Sequence, residues 1–337
     1  MPLTTDELRA MGIFPWPEIS AEFRGADLLL GNGFSLRLHQ SFHYDSLFDR
    51  FLANCDAAQA DRFRQFGTSN FEAILESLQA AARVNAIFGI ASDPLALATE
   101  ALKQGLLTTV SQNHPLAIEL NRDHLTAMSE AFDFFGDIFA LSYDALLYHI
   151  IMITLDRRRL NAVVRPYNDY FWAQHDGEFL EFMNYQHLRH YKHIYYLHGA
   201  LFIFRLGSST VKLKRTDQTE LLTLIEQKIG AGYIPLFVSE GSSEDKQLAI
   251  SRSEYLQHAN FHLQHGTNSL VIYGASLSRP DLHIVKAIRD TLRQIAFSIR
   301  VGEKTADELR AEMFRQREKL PEHAARFFDS STLFAVG

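Results

Sequence analysis

Cysteine is nearly absent from this chain, and no apolar run is long enough to span a membrane. The single cysteine among 337 residues, Cys55, excludes an intramolecular disulfide framework and a four-cysteine zinc module. A membrane helix needs about 20 consecutive apolar residues, which no segment approaches. The N-terminal segment MPLTTDELRAMGIFPWPEI has acidic residues and prolines where a secretory signal has a basic start and an apolar core. We therefore predict a soluble, cytoplasmic protein without membrane contacts.

An excess of positive charge is also lacking. Lysine and arginine number 33 against 40 acidic residues, which gives a net charge of −7. A dedicated nucleic-acid-binding protein normally has a basic surface, so we expect no direct contact with nucleic acid. Hydrophobic residues make up 47% of the chain, enough to bury a large core. Because no internal repeat or low-complexity tract divides the sequence, we predict one domain over residues 1–337.

Short apolar runs alternate with longer segments of helical periodicity along most of the chain. Most of the runs are continuously apolar, which is typical of parallel strands with helices on both faces. The predicted strands are 26–30, 137–142, 194–198, 234–238, 269–273 and 295–300. The predicted helices are 46–54, 70–87, 94–107, 120–134, 144–158, 217–229, 252–265, 281–293 and 304–318. This pattern predicts an α/β fold with a doubly wound, mostly parallel, Rossmann-like sheet.

Two segments depart from this alternation. Residues 40–134 have apolar residues spaced by three and four and few β-branched residues, which predicts a helical subdomain inserted after the first strand. Residues 161–190 are rich in aromatic and polar turn residues, and we interpret them as a loop-rich insertion. Two of the predicted helices have clear N-caps, Asn70 before FEAILESLQ and Asp281 before LHIVKAIRDTL.

The most informative stretch is ADLLLGNGFS at residues 26–35, where an apolar strand leads into a turn with Gly31, Gly33 and Ser35. Glycine allows positive φ and a close approach of the backbone to a phosphate, whose oxygens the exposed N–H groups then bind. On this interpretation, Gly33→Val abolishes ligand binding and leaves the fold intact. Strand–Gly–x–Gly turns also occur simply to reverse the chain, so the motif needs partners.

Three further motifs stand at the ends of predicted strands: LSYD at 141–144, LHG at 197–199 and YGASL at 273–277. In open α/β sheets, ligands bind beyond the carboxyl ends of the strands. The small and polar residues at these ends are therefore expected to lie near the first turn; they are Ser142, Asp144, His198, Gly274 and Ser276.

Two of these residues also have ordinary structural explanations. His198 is either a buried, hydrogen-bonded histidine at a strand end or a general base beside a nucleotide sugar, since imidazole titrates near neutrality. Asp144 is either a carboxylate at the start of the helix DALLYHIIM or a ligand for ribose hydroxyls. The residues alone leave both pairs of alternatives open.

The order GNGFS, LSYD, LHG and GASL resembles the sirtuin-like NAD-binding family, in which G-x-G-x-S, T-x-N-Y/I-D, H-G and G-x-S motifs follow in this order. The longer context is similar to bacterial sirtuin-like proteins of anti-phage systems, and the resemblance spans roughly residues 26–290. The segments that carry it are YDSLF at 44–48, NFEAIL at 70–75, SYDALLY at 142–148, an EG–K segment at 240–246 and GASLSRPDLHI at 274–284.

This resemblance implies an NAD hydrolase that releases nicotinamide and ADP-ribose, with NAD as substrate and no metal. It also implies a gated homo-oligomer that acts with a partner such as an ATPase or another defence protein. The residues implied in NAD binding are Gly31, Asn32, Gly33, Ser35, Tyr143, Gly274 and Ser276. The implied catalytic residues are His198, the base that acts on a ribose hydroxyl or on water, Asp144, which steadies the nicotinamide ribose, and Ser142.

Ser142 stands where the family has its catalytic asparagine. A serine side chain is shorter than an amide and offers neither the carbonyl nor the NH₂ group. Three outcomes stay open: a weak NADase, an NADase in which Asn32 or Tyr143 replaces the asparagine, and a catalytically inactive NAD- or ADP-ribose-binding subunit of a defence complex. A classical lysine deacylase is disfavoured because the chain has no four-cysteine zinc module.

Histidine groups and aromatic residues give two further predictions. Neither histidine group has an acidic ligand at a familiar metal spacing, so we predict solvated or interface histidines and no metal. These groups are His187, His190 and His193, and His258, His262 and His265. Aromatic residues beyond the needs of the nucleotide fold predict a homo-oligomer. The residues expected at its interface are Phe63, Phe66, Phe88, Phe171 and Trp172.

Overall fold

The computed structural model describes residues 3–38, 47–69, 71–115, 119–161, 166–175, 177–184, 190–214, 220–238, 243–321 and 325–334. The helices in these ranges are α1 Thr5–Met11, α2 Trp16–Ile19, α3 Asn32–Leu38, α4 Leu47–Asn54, α5 Ala57–Arg64, α6 Phe71–Ile87, α7 Asp93–Asn113, α8 Arg122–Ala131, α9 Leu146–Leu160, α10 Leu221–Gly230, α11 Ser243–Ser251, α12 Glu254–His265, α13 Leu282–Arg289 and α14 Ala306–Arg317. The strands in the same ranges are β1 Ile13–Phe14, β2 Asp27–Leu30, β3 Ile138–Ala140, β4 Tyr167–Asn168, β5 Phe171–His175, β6 Phe179–Phe182, β7 Lys192–Tyr196, β8 Gly199–Leu206, β9 Ser209–Leu213, β10 Pro235–Phe237, β11 Leu270–Tyr273, β12 Ile295–Ile299 and β13 Ala325–Asp329.

Eight of the described strands form one parallel sheet in the order β1-β13-β12-β11-β2-β3-β7-β4. From the central strand β2, the chain first adds β3 and β7 on one side and later adds β11, β12 and β13 on the other. Numbered in chain order, these six strands read 3-2-1-4-5-6, the order of doubly wound Rossmann sheets. The predicted α/β fold class is therefore confirmed.

The central strands are buried on both faces, as their continuous apolar sequences predict. Leu28, Leu29, Val271 and Ile272 have no exposed surface. The register aligns Leu30 with Tyr273 on one side of β2 and with Ala140 on the other, while Ala140 pairs with Tyr196 of β7. The carboxyl ends of β2, β3, β7 and β11 therefore stand side by side at one edge of the sheet.

A second, antiparallel sheet has the strand order β10-β8-β9-β6-β5. It includes part of the segment 161–190, which we interpreted as rich in loops, whereas the described residues there contain β4, β5 and β6. The chain reverses between β5 and β6 at Gly177, whose φ is +78°. Phe171 and Phe182 then pack on Tyr255 of α12, with ring centroids 5.0 and 5.2 Å away, so the aromatic residues of this hairpin join the common hydrophobic core.

The two sheets are joined at a tight turn after β7. Leu197 and His198 form this turn, and Gly199 continues the chain with a φ of +73°. A residue with a Cβ rarely adopts that backbone conformation, so the glycine divides the mostly apolar run 194–206 into strands of different sheets. The backbone carbonyl of His198 accepts a hydrogen bond from the N–H of Val238 at 2.7 Å, which ties the turn to β10.

Between β2 and β3 the described chain is helical, and its helices pack around a group of phenylalanines. The Phe51 ring lies 4.9 Å from the Phe63 ring and 5.5 Å from the Phe71 ring. Two members of the predicted oligomer surface belong to the core instead, because Phe63 is 2% exposed and Phe171 is 5% exposed. Phe66, Phe88 and Trp172 are exposed, as that prediction requires.

Several predictions for helix N-caps and histidines differ from the structure, and two of the predicted residues are not described by it. Asn70 and His187 lie outside the described residues. Asp281 makes no capping hydrogen bond, because its carboxylate binds the ammonium group of Lys246. His193 and His258 are buried rather than solvated.

Among the described residues, no group of three or more His, Cys, Asp and Glu side chains has the arrangement of a metal site. No helix in the described part of the chain is long and apolar enough to cross a membrane.

The turn after β2 packs directly against the turn after β11. The N–H of Gly31 donates to the carbonyl of Tyr273, and the N–H of Gly33 donates to the carbonyl of Gly274, both at 2.8 Å. A Cβ on Gly31 would lie 2.5 Å from the Ala275 Cα, and one on Gly33 would lie 2.8 Å from the Gly274 Cα. Only Gly274 of these three has a positive φ, +67°. The expectation that Gly33→Val leaves the fold intact is therefore wrong.

We predict that Gly33→Ala lowers the free energy of unfolding by about 1–3 kcal/mol, because its Cβ forces two backbone segments apart. Gly33→Val should cost more. Gly230→Ala is the matched control, since a Cβ there meets nothing within 4 Å, and it should be neutral or slightly stabilising. Urea denaturation measures all three, and a Gly33→Val protein as stable as wild type would disprove the packing argument.

Candidate functional site

The predicted site residues follow four neighbouring strands at the carboxyl edge of the parallel sheet. Backbone hydrogen bonds extend the strand pairing past the strand ends: Leu141 N–H donates to Leu30 and Leu197 N–H donates to Ala140, both at 2.9 Å. The strand order reverses between β2 and β11, which bear the two glycine turns. In doubly wound sheets, ligands bind beside such a switch point.

A short hydrogen bond joins the first two motifs. The hydroxyl of Ser35, which is fully buried, donates to Oδ2 of Asp144 at 2.5 Å. The N–H of Leu146 donates to Oδ1 of the same carboxylate at 2.9 Å, and the Ser142 side chain also hydrogen-bonds it. The Asp144 carboxylate thus accepts hydrogen bonds from the first residue of α9 and from both serines. The Ser35 hydroxyl, which the family resemblance implies in NAD binding, is directed at this carboxylate.

Burial controls the charge of Asp144. The side chain is 3% exposed, and loss of water raises the pKa of the carboxyl group above its ordinary value. Hydrogen bonds from Ser35, then from the Leu146 backbone and Ser142, oppose this rise because they favour the ionised form. The ionised carboxylate therefore depends on the hydroxyl groups around it.

His198 is equally buried, with 3% of its surface exposed. Its Nε2 lies 2.9 Å from Nε2 of His283, a residue of α13. Burial lowers the pKa of His198 well below its ordinary value, and the nearby positive charge of Lys246 lowers it further. His198 is consequently a neutral imidazole at physiological pH, which is the protonation state that a general base requires. Its burial also fits the structural explanation, so both alternatives persist.

Three residues near His198 were not predicted as site residues from the sequence, although one of them, Asp281, was predicted as a helix N-cap. They are His283, Lys246 and Asp281; the Nζ of Lys246 lies 2.9 Å from Oδ1 of Asp281. Lys246 is 4% exposed and His283 is 6% exposed, so this is a buried charged group rather than a solvated one. All three lie in the segments 240–246 and 274–284, which carry part of the resemblance to the sirtuin-like family. That resemblance is the sequence signal from which these residues could have been identified.

The remaining predicted residues surround this centre at different distances. Asn32 begins α3 beside Gly33, and the half-buried ring of Tyr143 lies 6.3 Å from the ring of His114, which follows α7. Ser276 is exposed, and its backbone carbonyl accepts hydrogen bonds from Gln316 and Lys319. The structure thus brings Ser35, Ser142 and Asp144 into contact, and Gly31, Gly33 and Gly274 into contact, whereas Ser276 has no direct contact with either group among its described hydrogen bonds.

The chain belongs to the family described as Domain of unknown function (DUF4917), whose model matches residues 28–334. No curated protein matches the sequence. A chain from the solved structure described as "Structural Basis for the Mechanism and Regulation of Sir2 Enzymes" is similar at 10% identity, over 98% of this chain and 95% of that chain, with a TM-score of 0.38. The fold class rests on the strand order of the parallel sheet.

We predict that Ser35→Ala lowers the free energy of unfolding by about 1–3 kcal/mol at pH 8, because a buried carboxylate loses its hydroxyl donor. In an Asp144→Asn background the same change should cost less, about 0.5–1.5 kcal/mol, since no charge is involved. Urea denaturation of the four proteins forms a double-mutant cycle, with the exposed Ser251→Ala as control.

The pH dependence gives this cycle a second readout. Because the pKa of Asp144 is higher in the folded than in the unfolded protein, the folded state binds more protons between the unfolded value of 3.8 and the raised pKa. The contribution of Asp144 to stability therefore falls as pH rises through that window and is constant above it. Asp144→Asn should remove this slope and be at least as stable as wild type at pH 8. An equal cost of Ser35→Ala in both backgrounds would contradict the assignment.

Proposed function

We propose that this protein binds NAD at the carboxyl edge of the parallel sheet and hydrolyses it to nicotinamide and ADP-ribose. The observation that carries the proposal is the strand order, with a switch point between β2 and β11 and both glycine turns packed there. The resemblance of the four motifs to the sirtuin-like family supports NAD as the dinucleotide.

Hydrolysis breaks the bond between the ribose C1′ and the nicotinamide nitrogen, while water forms the new C1′–O bond and one proton is released. Such reactions pass through an oxocarbenium-like state, which needs an ordered ribose and a positioned water. His198, kept neutral by burial, is suited to take the proton from water or a ribose hydroxyl. Asp144 in its ionised form places a negative charge beside the developing positive ribose.

The glycine turns need a different account from simple phosphate binding. The N–H groups of Gly31 and Gly33 already donate to the turn after β11, so they are not the donors that a diphosphate would use. Their role in our proposal is to bring β2, α3 and the Gly274 turn close enough together to form one continuous side of the proposed NAD site. Asn32, at the start of α3, is the side chain that we expect to reach the diphosphate.

Nicotinamide release from NAD tests the proposal directly. We expect release by the wild-type protein, alone or with the product of a neighbouring gene, and a loss of about 10²–10⁴-fold in His198→Ala. His265→Ala is the control, because His265 is exposed at the end of α12. The proposal would be disproved if nicotinamide were not released under any activating condition and His198→Ala behaved like the wild type.

A second candidate function is a catalytically inactive NAD- or ADP-ribose-binding subunit of a defence complex. The observation that favours it is Ser142, whose side chain hydrogen-bonds Asp144 and lacks the amide of the family's asparagine. Calorimetry combined with the release assay separates the two: binding without turnover supports the subunit, and turnover eliminates it. Under our leading proposal, Ser142→Asn changes the rate of release, upward if serine limits catalysis and downward if this chain depends on it.

We extend the proposal to a gated, cytoplasmic homo-oligomer in anti-phage defence, with a partner such as an ATPase. An unregulated NADase would deplete the NAD of its own cell, hence the gate. The exposed apolar residues near the junction of α6 and α7 favour assembly; they are Ile87, Phe88, Ile90 and Leu97. Light scattering across a dilution series checks this, and a constant mass near 38.4 kDa would contradict it.

A further inference from the structure

The His198 ring forms hydrogen bonds through both of its nitrogen atoms. Nε2 lies 2.9 Å from Nε2 of His283, and the ring also hydrogen-bonds the backbone of Leu141. Since Nε2 faces His283, the contact with Leu141 uses Nδ1. An imidazole has only these two hydrogen-bonding atoms. In this arrangement neither nitrogen is available to a ribose hydroxyl or to the attacking water.

The two partners determine where the protons lie. A backbone carbonyl only accepts hydrogen bonds, so Nδ1 of His198 carries a proton and donates to Leu141. Nε2 of a neutral His198 is then an acceptor, and His283 must donate its own Nε2–H. The opposite assignment would set a bare Nδ1 against a carbonyl oxygen, which places two lone pairs face to face.

The surroundings keep His198 neutral and hold His283 over it. The buried ammonium group of Lys246, on α11, disfavours a second positive charge at His198. Lys246 also binds Asp281, directly before α13, and the Ser243 hydroxyl of α11 accepts the backbone N–H of His283 at 3.1 Å. The contact between α11 and the start of α13 therefore fixes where the backbone of His283 lies beside His198.

We propose that His283 is a positioning residue for the NAD cleavage described above, on which this inference rests: it occupies the base nitrogen of His198, and substrate reaches that nitrogen only when the His283 ring moves aside. The exchange breaks one N–H···N hydrogen bond and forms one O–H···N hydrogen bond, so it needs no further reactant. Apparent NAD affinity is then the intrinsic affinity multiplied by the fraction of molecules in which the His283 ring has moved aside.

Three variants separate this role from a purely structural one. His283→Leu removes the N–H donor, and the leucine side chain fills most of the volume of the imidazole. His283→Gln restores an N–H donor. His258→Leu is the matched control, because His258 is also a buried histidine but packs 4.4 Å from the Tyr170 ring, on α12. Thermal unfolding is measured first, to establish that each variant is folded before the other experiments.

Nitrogen NMR of histidine-labelled protein, without added NAD, reads the contact itself. The His198 signals are assigned from their loss in His198→Ala. We expect a protonated Nδ1 and an unprotonated, hydrogen-bonded Nε2 in the wild type. In His283→Leu the Nε2 signal should move to the position of a nitrogen without a donor, and His283→Gln should move it back. A protonated Nε2 at His198 in the wild type would overturn the proposal.

NAD titration and nicotinamide release then test the consequence. We expect His283→Leu to increase apparent NAD affinity and the rate of release at subsaturating NAD by about two- to tenfold, the effect of one ordinary hydrogen bond. His283→Gln should fall between this variant and wild type, and His258→Leu should match wild type. A lower or unchanged affinity and rate in His283→Leu, beside an active wild type, would overturn the positioning role alone. Neither binding nor release in any of these proteins would overturn both this inference and the proposed function.

Discussion

The contact between the turns after β2 and β11 is the constraint on which the carboxyl edge depends. Two backbone segments lie so close that no Cβ fits at Gly31 or Gly33, and hydrogen bonds join them to Tyr273 and Gly274. This approach fixes where α3 begins, and α3 then places Ser35 against Asp144. The glycine-rich motif is therefore first a packing feature of the fold, and any ligand site is built on top of it.

The buried carboxylates at the two ends of β2 and β3 differ in how their charge is compensated. Asp27, at the amino end, binds the guanidinium group of Arg293 and accepts from Asn268, and the charge of Arg293 opposes the rise that burial causes in its pKa. At Asp144, on the carboxyl edge, burial also raises the pKa, and this rise is opposed first by the hydrogen bond from the Ser35 hydroxyl. A carboxylate held by a cation is a structural ion pair, whereas one held by hydroxyl groups keeps a charge that a ligand can alter.

The parallel sheet could be predicted from sequence because doubly buried strands are continuously apolar and occur between clear helices. The antiparallel sheet could not, because the run 194–206 is apolar apart from His198, Gly199 and Arg205, and it is the positive φ of Gly199 that divides this run between two sheets. The positions of Ser142, Asp144 and His198 beyond strand ends were also predictable. The pairing of His198 with His283 was not, since it joins residues 85 positions apart through the packing of α13, which no local pattern encodes.

The polar side chains of the candidate site are paired with one another. Ser35 and Ser142 hydrogen-bond Asp144, and His198 hydrogen-bonds His283. A ligand that enters must exchange these hydrogen bonds for its own, and such exchanges are nearly balanced in free energy because one bond replaces another. Pairing therefore satisfies buried polar groups that would otherwise destabilise the fold, and a ligand can rearrange the site at little cost in free energy. Selectivity then comes from which ligand satisfies all the displaced partners at once, because any partner left unpaired in this buried edge costs about 1–3 kcal/mol.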